Sequence, residues 1–197
     1  MHDPVLLNDW HPLAWSTQLD EGKTLACRLL GEDLVLWRNQ GQVMAWKDLC
    51  VHRGTRLSLG RVAQGTLICA YHGWRYASSG RCVHLPAHPD QAPPDKACVT
   101  TYRCQEENGI LWVSLGHPQH PPLRLAPWSS SKFRMVPCGP YALQAAGPRV
   151  LENFLDVAHF PFVHDGLLGD SEQPEIGLDE YQVEVGDQGV VARDISV

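Results

Sequence analysis

The chain has 197 residues, 44% of them hydrophobic, and a formal net charge of −6, enough for one good-sized domain or for a small domain and part of another. Its basic residues are scattered, which argues against nucleic acid and anionic membranes as partners, and no apolar stretch reaches the roughly 18 residues of a membrane-spanning helix. Met1-His2-Asp3-Pro4 has no signal-peptide features, and seven irregularly spaced cysteines suit a reducing compartment better than a disulfide framework, so the expected location is the cytoplasm.

Three strand-length segments come first: Lys23 to Leu30, Asp33 to Arg38 and Gln42 to Lys47. Hairpin turns are expected between them at Gly31-Glu32-Asp33 and Asn39-Gln40-Gly41. Further strands are expected at Thr66 to Ala70, Trp74 to Ala77 and Gly109 to Leu115, so the first half reads as an antiparallel β domain. Trp37, Trp46 and Trp112 fall in these strands as core aromatics. From Gly116 to Pro127 the texture turns polar and proline-rich. Residues 117–127 therefore read as a linker between a domain over 1–116 and a second over 128–197. In the second, strands are expected at Phe133 to Val136 and Tyr141 to Ala145. A helix is expected from about Arg149 to Phe160, entered at Pro148, with Leu151, Phe154, Leu155 and Ala158 as its buried face. Pro161 ends or kinks it. Tyr181 to Val185 and Val190 to Ile195 read as two more strands around the turn Gly186-Asp187-Gln188-Gly189. These elements are thin for an independent core, so the second domain is expected to be incomplete.

Two segments carry metal chemistry. Cys50-Val51-His52-Arg53-Gly54 and Cys69-Ala70-Tyr71-His72-Gly73-Trp74 each join one thiol to one imidazole, as C-x-H and C-x-x-H, with sixteen residues between His52 and Cys69. A Cys2His2 set most often holds zinc, but zinc fingers usually pair Cys with Cys and His with His. Mixed loops in a β context suit a Rieske-type [2Fe–2S] cluster, in which two thiolates hold one iron and two imidazoles the other. Neutral imidazoles remove negative charge and raise the potential above that of an all-cysteine cluster. Gly54 and Gly73 let the backbone approach and aim amide N–H groups at sulfur. A structural zinc module stays open as an alternative. Cys27, Cys82, Cys98, Cys104 and Cys138 read as buried or partly buried free thiols. His84, His88, His117 and His120, near prolines, read as solvated. Trp74 reads as a shield over the second loop.

Asp156, His159 and His164 form a second set, D-x-x-H-x-x-x-x-H. Asp156 and His159 would share a helix face. His159 and His164 would diverge by about 140° on a regular helix, so convergence needs a break, which Pro161 would supply. Two histidines and one carboxylate around Fe(II) make a facial triad with positions left for dioxygen. The plainer reading is an amphipathic helix with Asp and His on its polar side.

The C-x-H-R-G and C-x-Y-H-G-W motifs, with Trp10-His11-Pro12-Leu13 and Gly109-Ile110-Leu111-Trp112-Val113, resemble the Rieske domain of Rieske non-haem iron oxygenases, the ring-hydroxylating and demethylating family that includes vanillate O-demethylase, phthalate dioxygenase and the pheophorbide oxygenase group. Glu152-Asn153 and the D-x-x-H-x-x-x-x-H that follows resemble that family's iron-binding helix. The extra loop cysteines of respiratory bc-type Rieske proteins are missing.

The resemblance covers the whole chain and implies a mainly β protein with an α+β C-terminal part. An antiparallel β Rieske [2Fe–2S] domain would be followed by the start of a helix-grip-like (Bet v 1-like) catalytic domain. It implies Cys50, His52, Cys69 and His72 as ligands of one [2Fe–2S] cluster, with a potential near the lower end of the Rieske range, about −150 mV. It implies His159 and His164 as ligands of a mononuclear Fe(II), Asn153 as a polar position near it, and Asp156 as a carboxylate bridging to a cluster histidine, His72, of a neighbouring subunit. The third iron ligand is expected beyond Val197, since Asp165 and Asp170 lack support, so the chain alone is expected to show little turnover.

The implied activity is that of an oxygenase component, a mono- or dioxygenase. It would take electrons singly from a ferredoxin or a flavin/ferredoxin reductase and use O2 to hydroxylate or demethylate an organic, aromatic substrate. The full-length assembly would be a head-to-tail homotrimer. The alternative is a Rieske-type ferredoxin, for which the first 115 residues would serve and which has no use for a second iron.

Overall fold

Short β-forming runs separated by residue–glycine pairs make the chain a succession of hairpins. The computed structural model describes residues 3–124, 126–139, 141–175, 182–186 and 189–193, which fall into two units, Met1–Pro140 and Tyr141–Val197. The first unit holds helix α1 (Pro4–Leu7) and strands β1 (His11–Trp15), β2 (Thr24–Leu29), β3 (Glu32–Asn39), β4 (Gln42–Lys47) and β5 (Arg61–Ala63). Then come β6 (Thr66–Ile68), β7 (Arg75–Tyr76), β8 (Cys82–His84), β9 (Thr101–Glu107) and β10 (Ile110–Ser114). A six-stranded antiparallel sheet runs in the order β1-β10-β9-β4-β3-β2, with contact between its edge strands β1 and β2, so it curls towards a barrel. A smaller sheet runs β5-β6-β7-β8.

The β2–β3 hairpin turns on Leu30-Gly31 and not on Gly31-Glu32-Asp33, because Leu29 already pairs with Glu32 and Arg28 with Asp33. Leu30 and Gly31 have φ of 49° and 91°, the type I′ geometry whose twist matches that of the strands it joins. Gln40-Gly41 turns the β3–β4 hairpin in the same way, inside the expected Asn39-Gln40-Gly41.

Strand β3 is buried on both faces, as its unbroken run Leu34-Val35-Leu36-Trp37 requires. Leu34 and Leu36 join Leu19, Ala45, Leu111 and Val113 in one core. Val35 and Trp37 join Trp46, Leu57, Leu67 and Tyr76 in the other, which also takes in Cys50 and Cys69. Trp37 and Trp46 meet edge to face at 4.8 Å. Each fully buried side chain of this kind contributes about 1.5–3 kcal/mol, so the second core is a rigid floor beneath the cysteine loops. Trp112 is buried as expected.

Beyond β10 the proline-rich stretch is tied down: Trp10 Nε1 donates to the His120 carbonyl at 2.7 Å and the His117 amide to Asn8 Oδ1 at 2.7 Å. The strands expected at Phe133 to Val136 and Tyr141 to Ala145 do not form. Apolar residues alone do not make a strand without a ladder partner, and Phe133, Val136, Tyr141 and Leu143 are all exposed.

The second unit holds helix α2 (Gly147–Leu155), helix α3 (Phe160–Val163) and an antiparallel hairpin of β11 (Gln182–Gly186) and β12 (Gly189–Arg193). Tyr181, the turn residues Asp187 and Gln188, and Asp194-Ile195 lie outside the described residues. The single helix expected to Phe160 is two helices: α2 stops where Asp156 turns extended, at φ −81° and ψ 116°. Its apolar side is also not a buried face. Leu151, Phe154, Leu155 and Ala158 are exposed, with no described residue covering them. The chain is thus mainly β in its first unit with an α+β segment after it, and none of the described helices is long and apolar enough to cross a membrane.

Candidate metal centres

Two loops of one design carry the sulfur and nitrogen donors. In the first, the Cys50 amide donates to the Thr55 carbonyl at 2.8 Å and the Gly54 amide to the Cys50 carbonyl at 2.9 Å. In the second, the Cys69 amide donates to the Trp74 carbonyl at 2.9 Å and the Gly73 amide to the Cys69 carbonyl at 3.1 Å. The same turn thus recurs nineteen residues apart, and Gly54 and Gly73 occupy its left-handed position with φ of 76° and 68°. The shared signal, C-x-x-x-G, is present in the sequence but masked by the unequal Cys–His spacing.

The loops put sulfur inside and imidazole outside. Cys50 and Cys69 are each 2% exposed and belong to the same buried cluster. The rings of His52 and His72 lie 4.5 Å apart, with His72 exposed and His52 half-buried. The Trp74 indole stacks flat on His52 at 4.3 Å and 6°, a more specific contact than a general shield. Burial pulls the His52 imidazole down from its usual range, helped by His72 and Arg53, which favours the neutral ring a ligand needs. Burial pushes the Cys69 thiol up, against the Tyr71 backbone amide. The Tyr76 hydroxyl sits 3.1 Å from Cys50 Sγ, a contact between residues 26 apart that the sequence does not announce.

His52 Nδ1 is buried without a hydrogen-bond partner, an arrangement that costs about 1–3 kcal/mol unless something takes the lone pair. Among the described residues no three His, Cys, Asp or Glu donors converge on one point. Tetrahedral zinc needs four donors at a point, whereas a two-iron cluster needs two per iron. A thiol pair beside an imidazole pair suits the cluster better.

In the second unit, Asp156 and His159 meet across a turn and not along a helix face. Asp156 Oδ2 approaches His159 Nδ1 to 3.4 Å, while Asp156 Oδ1 accepts the Ala158 amide at 2.9 Å. His159 and His164 cap the two ends of α3, and their rings lie 5.4 Å apart. The break falls before His159; Pro161 sits in the first turn of α3, where a missing N–H costs nothing. His159 Nδ1 is, like His52 Nδ1, a buried imidazole nitrogen without a hydrogen bond. Asn153 lies exposed on α2. Asp165 and Asp170 each accept a backbone amide at 2.9 Å, from Ser171 and Glu172.

The remaining candidates divide. Cys82 is buried, and Cys27 and Cys104 are half-buried with thiols pushed up to about 12 chiefly by burial. Cys98 and Cys138 are exposed, contrary to expectation. His88, His117 and His120 are exposed, but His84 is half-buried where β8 pairs with Arg75.

Comparison with known proteins follows the same division. Residues 9–103 match the Rieske [2Fe-2S] domain and residues 143–196 match the vanillate O-demethylase oxygenase C-terminal domain. The methylxanthine N1-demethylase NdmA of Pseudomonas putida is 35% identical over 184 residues, 87% of this chain and 52% of that protein. The oxidoreductase NdmD of the same organism is 40% identical over 121 residues, 60% of this chain and 21% of that protein. The structure of Pseudomonas putida CBB5 NdmA with caffeine matches with a TM-score of 0.85 at 31% identity, covering 98% of this chain and 59% of that one. The chain spans about half the length of the NdmA sequence it matches. With the two matches following one another along the chain, and the paired loops inside the first, the chain belongs to the Rieske-domain oxygenase family.

Proposed function

We propose that this chain belongs to the oxygenase component of a Rieske non-haem iron system. Its Cys50, Cys69, His52 and His72 would hold a [2Fe–2S] cluster, and its His159 and His164 would contribute to a mononuclear Fe(II) site. The observation that carries this reading is the pairing of donors, two thiols buried in one cluster beside two imidazoles 4.5 Å apart. When bound, the cluster supplies one-electron transfer and the mononuclear iron supplies activation of dioxygen for hydroxylation or demethylation of an organic, aromatic substrate. The protein's part is to hold and orient. Trp74 fixes the plane of the His52 ring, and the exposed His72 edge gives a donor protein access. Asp156 Oδ2 lies 3.4 Å from His159 Nδ1 without a hydrogen bond to it, and on closing that gap it would orient the ring with Nε2 free, the role carboxylates play for metal-bound histidines. By family resemblance Asp156 also faces His72 of a neighbouring subunit in a homotrimer, and Asn153 lies near the iron.

Residues 1–116 would then be the electron-accepting domain and 128–197 the N-terminal portion of a helix-grip-like catalytic domain, joined by 117–127. Likeness to NdmD, an oxidoreductase, supports a ferredoxin or flavin/ferredoxin reductase as donor. The unbridged cysteines suit the cytoplasm. A Rieske ferredoxin without oxygenase activity is the rival reading, disfavoured by the Asp156–His159 contact and the facing His164.

The test is anaerobic purification of the whole chain. Two irons and two acid-labile sulfides per chain, with an EPR signal after reduction, are expected. A colourless protein containing zinc would overturn the reading. Additional Fe(II) bound by the chain, and lost in His159→Ala and His164→Ala with the cluster spectrum intact, separates oxygenase component from carrier.

A further inference from the structure

Among the described residues Asp48, 4% exposed, is the only buried charged side chain. A carboxylate is costly to bury unless both oxygens are satisfied. Asp48 satisfies both on one residue: Oδ1 accepts the Ser58 amide at 2.7 Å and Oδ2 accepts the Ser58 hydroxyl at 2.6 Å. Both partners are anchored independently. The Asp48 amide donates to the Asp33 carbonyl at 2.9 Å, on β3, and the Ser58 carbonyl accepts from Thr24 Oγ1 at 2.9 Å, on β2. Between Asp48 and Ser58 run residues 49–57, the loop that carries Cys50 and His52.

We propose that Asp48 is a positioning residue for the cluster ligands: by clasping Ser58 it closes residues 49–57 into a preformed bracket and so sets how firmly the cluster is held. The proposal rests on the cluster reading above. A loop closed in advance loses little further freedom when its ligands bind, so less of the binding energy goes into ordering it. Leu57, with no exposure, plugs the same core as Cys50 and Cys69 and seats the far end of the loop. Removing the clasp leaves that floor in place and loosens only the span above it.

The experiment compares the whole chain with three variants, under excess iron chelator and well below the melting transition of the apoprotein. Loss of the cluster is followed by bleaching of visible absorbance, and its environment by the EPR line shape after reduction. Asp48→Ala removes both hydrogen bonds, and cluster loss is expected to be roughly tenfold faster. Ser58→Ala keeps the amide bond and is expected to be about threefold faster. Asp48→Asn can still accept the Ser58 amide through Oδ1 and donate to the Ser58 hydroxyl through Nδ2. It is expected within about twofold of the parent, because each hydrogen bond is replaced. If Asp48→Ala does not fold, Ser58→Ala and Asp48→Asn carry the test. A merely structural carboxylate would lower the apoprotein melting temperature without changing cluster loss or line shape far below it. That result, or Asp48→Asn losing the cluster as fast as Asp48→Ala, overturns the clasp. A parent chain without cluster iron and sulfide overturns the cluster reading and the clasp together, so the two failures are told apart by the parent alone.

Discussion

Tyr76 offers the sharpest test of the sulfur side of the site. Its hydroxyl lies 3.1 Å from Cys50 Sγ in buried surroundings. Burial, with the Cys50 contact behind it, pushes the phenol well above its ordinary range, so the hydroxyl keeps its proton. A ligand thiolate has no proton to give, so Tyr76 is the donor. A donor aimed at sulfur stabilises the more negative, reduced cluster over the oxidised one and raises the potential. Tyr76→Phe removes only the O–H and keeps the ring, which meets Trp46 edge on at 6.5 Å. A net hydrogen bond is about 0.5–1.5 kcal/mol. If all of that differs between the redox states, the midpoint falls by about 20–60 mV, at roughly 59 mV per 1.4 kcal/mol for one electron. An EPR-monitored redox titration of the whole chain measures it, with Tyr141→Phe, an exposed tyrosine of the second unit, as the unchanged control. A midpoint equal to or above the parent's, with the EPR line shape preserved, would refute the donor role.

At about pH 8 an alkylating reagent should label Cys98 and Cys138, which are exposed, and spare Cys27 and Cys104, half-buried with thiols pushed up to about 12; mass spectrometry of the native protein reads this directly. Arg38 hydrogen-bonds Glu106 at 2.8 Å and holds its carboxyl below the usual range. The ion pair therefore contributes above the unfolded carboxylate pKa and is lost as pH falls through the lower folded value. Because Glu106 is 38% exposed, Glu106→Gln should cost under about 1 kcal/mol near neutrality. Its urea midpoint should converge on the parent's as the pH is taken to about 3. Gly80 has φ of 82°, and a Cβ there would lie 2.6 Å from the Val99 carbonyl oxygen. Gly80→Ala should lower stability by about 2–4 kcal/mol, combining left-handed strain with overpacking, as thermal unfolding of the apoprotein would show.

The first half of the chain declares itself because its signals are local. Gln42 to Lys47 is expected and found as a strand with the same bounds, since the short apolar run Val43 to Trp46 and the flanking Gln40-Gly41 turn agree. The β2–β3 turn slips by one residue in the sequence reading because Leu30 takes a positive φ that leucine rarely adopts; register and not residue type decides there. The three-residue strands β5 and β8 are too short for periodicity to register. In the second half, Leu151, Phe154 and Leu155 have helical spacing and do form a helix. Spacing reports which side is apolar, however, and not whether anything covers it. The cluster donors are readable because each loop contains its own Cys, His and Gly. The Tyr76 and Asp48 contacts are not, because each joins residues that only the fold brings together.

Those nonlocal contacts run mostly one way. The first loop supplies Cys50 and His52, but what holds them comes largely from the second loop and the strand after it. Trp74 stacks on His52, Tyr76 bonds Cys50, and Cys69 shares the buried cluster with Cys50. Trp74 also closes the second loop's own turn through its carbonyl. A slip of β7 against β6 by one residue would flip Tyr76 out of the core and withdraw two supports of the first loop at once. The pairing Leu67 with Tyr76 and Ile68 with Arg75 is therefore what aligns the two loops. Each loop closes on its own turn, but the contacts that fix the Cys50 and His52 side chains come from Tyr76 and Trp74, so the register of β7 and not the first loop's own backbone sets where its two donors point.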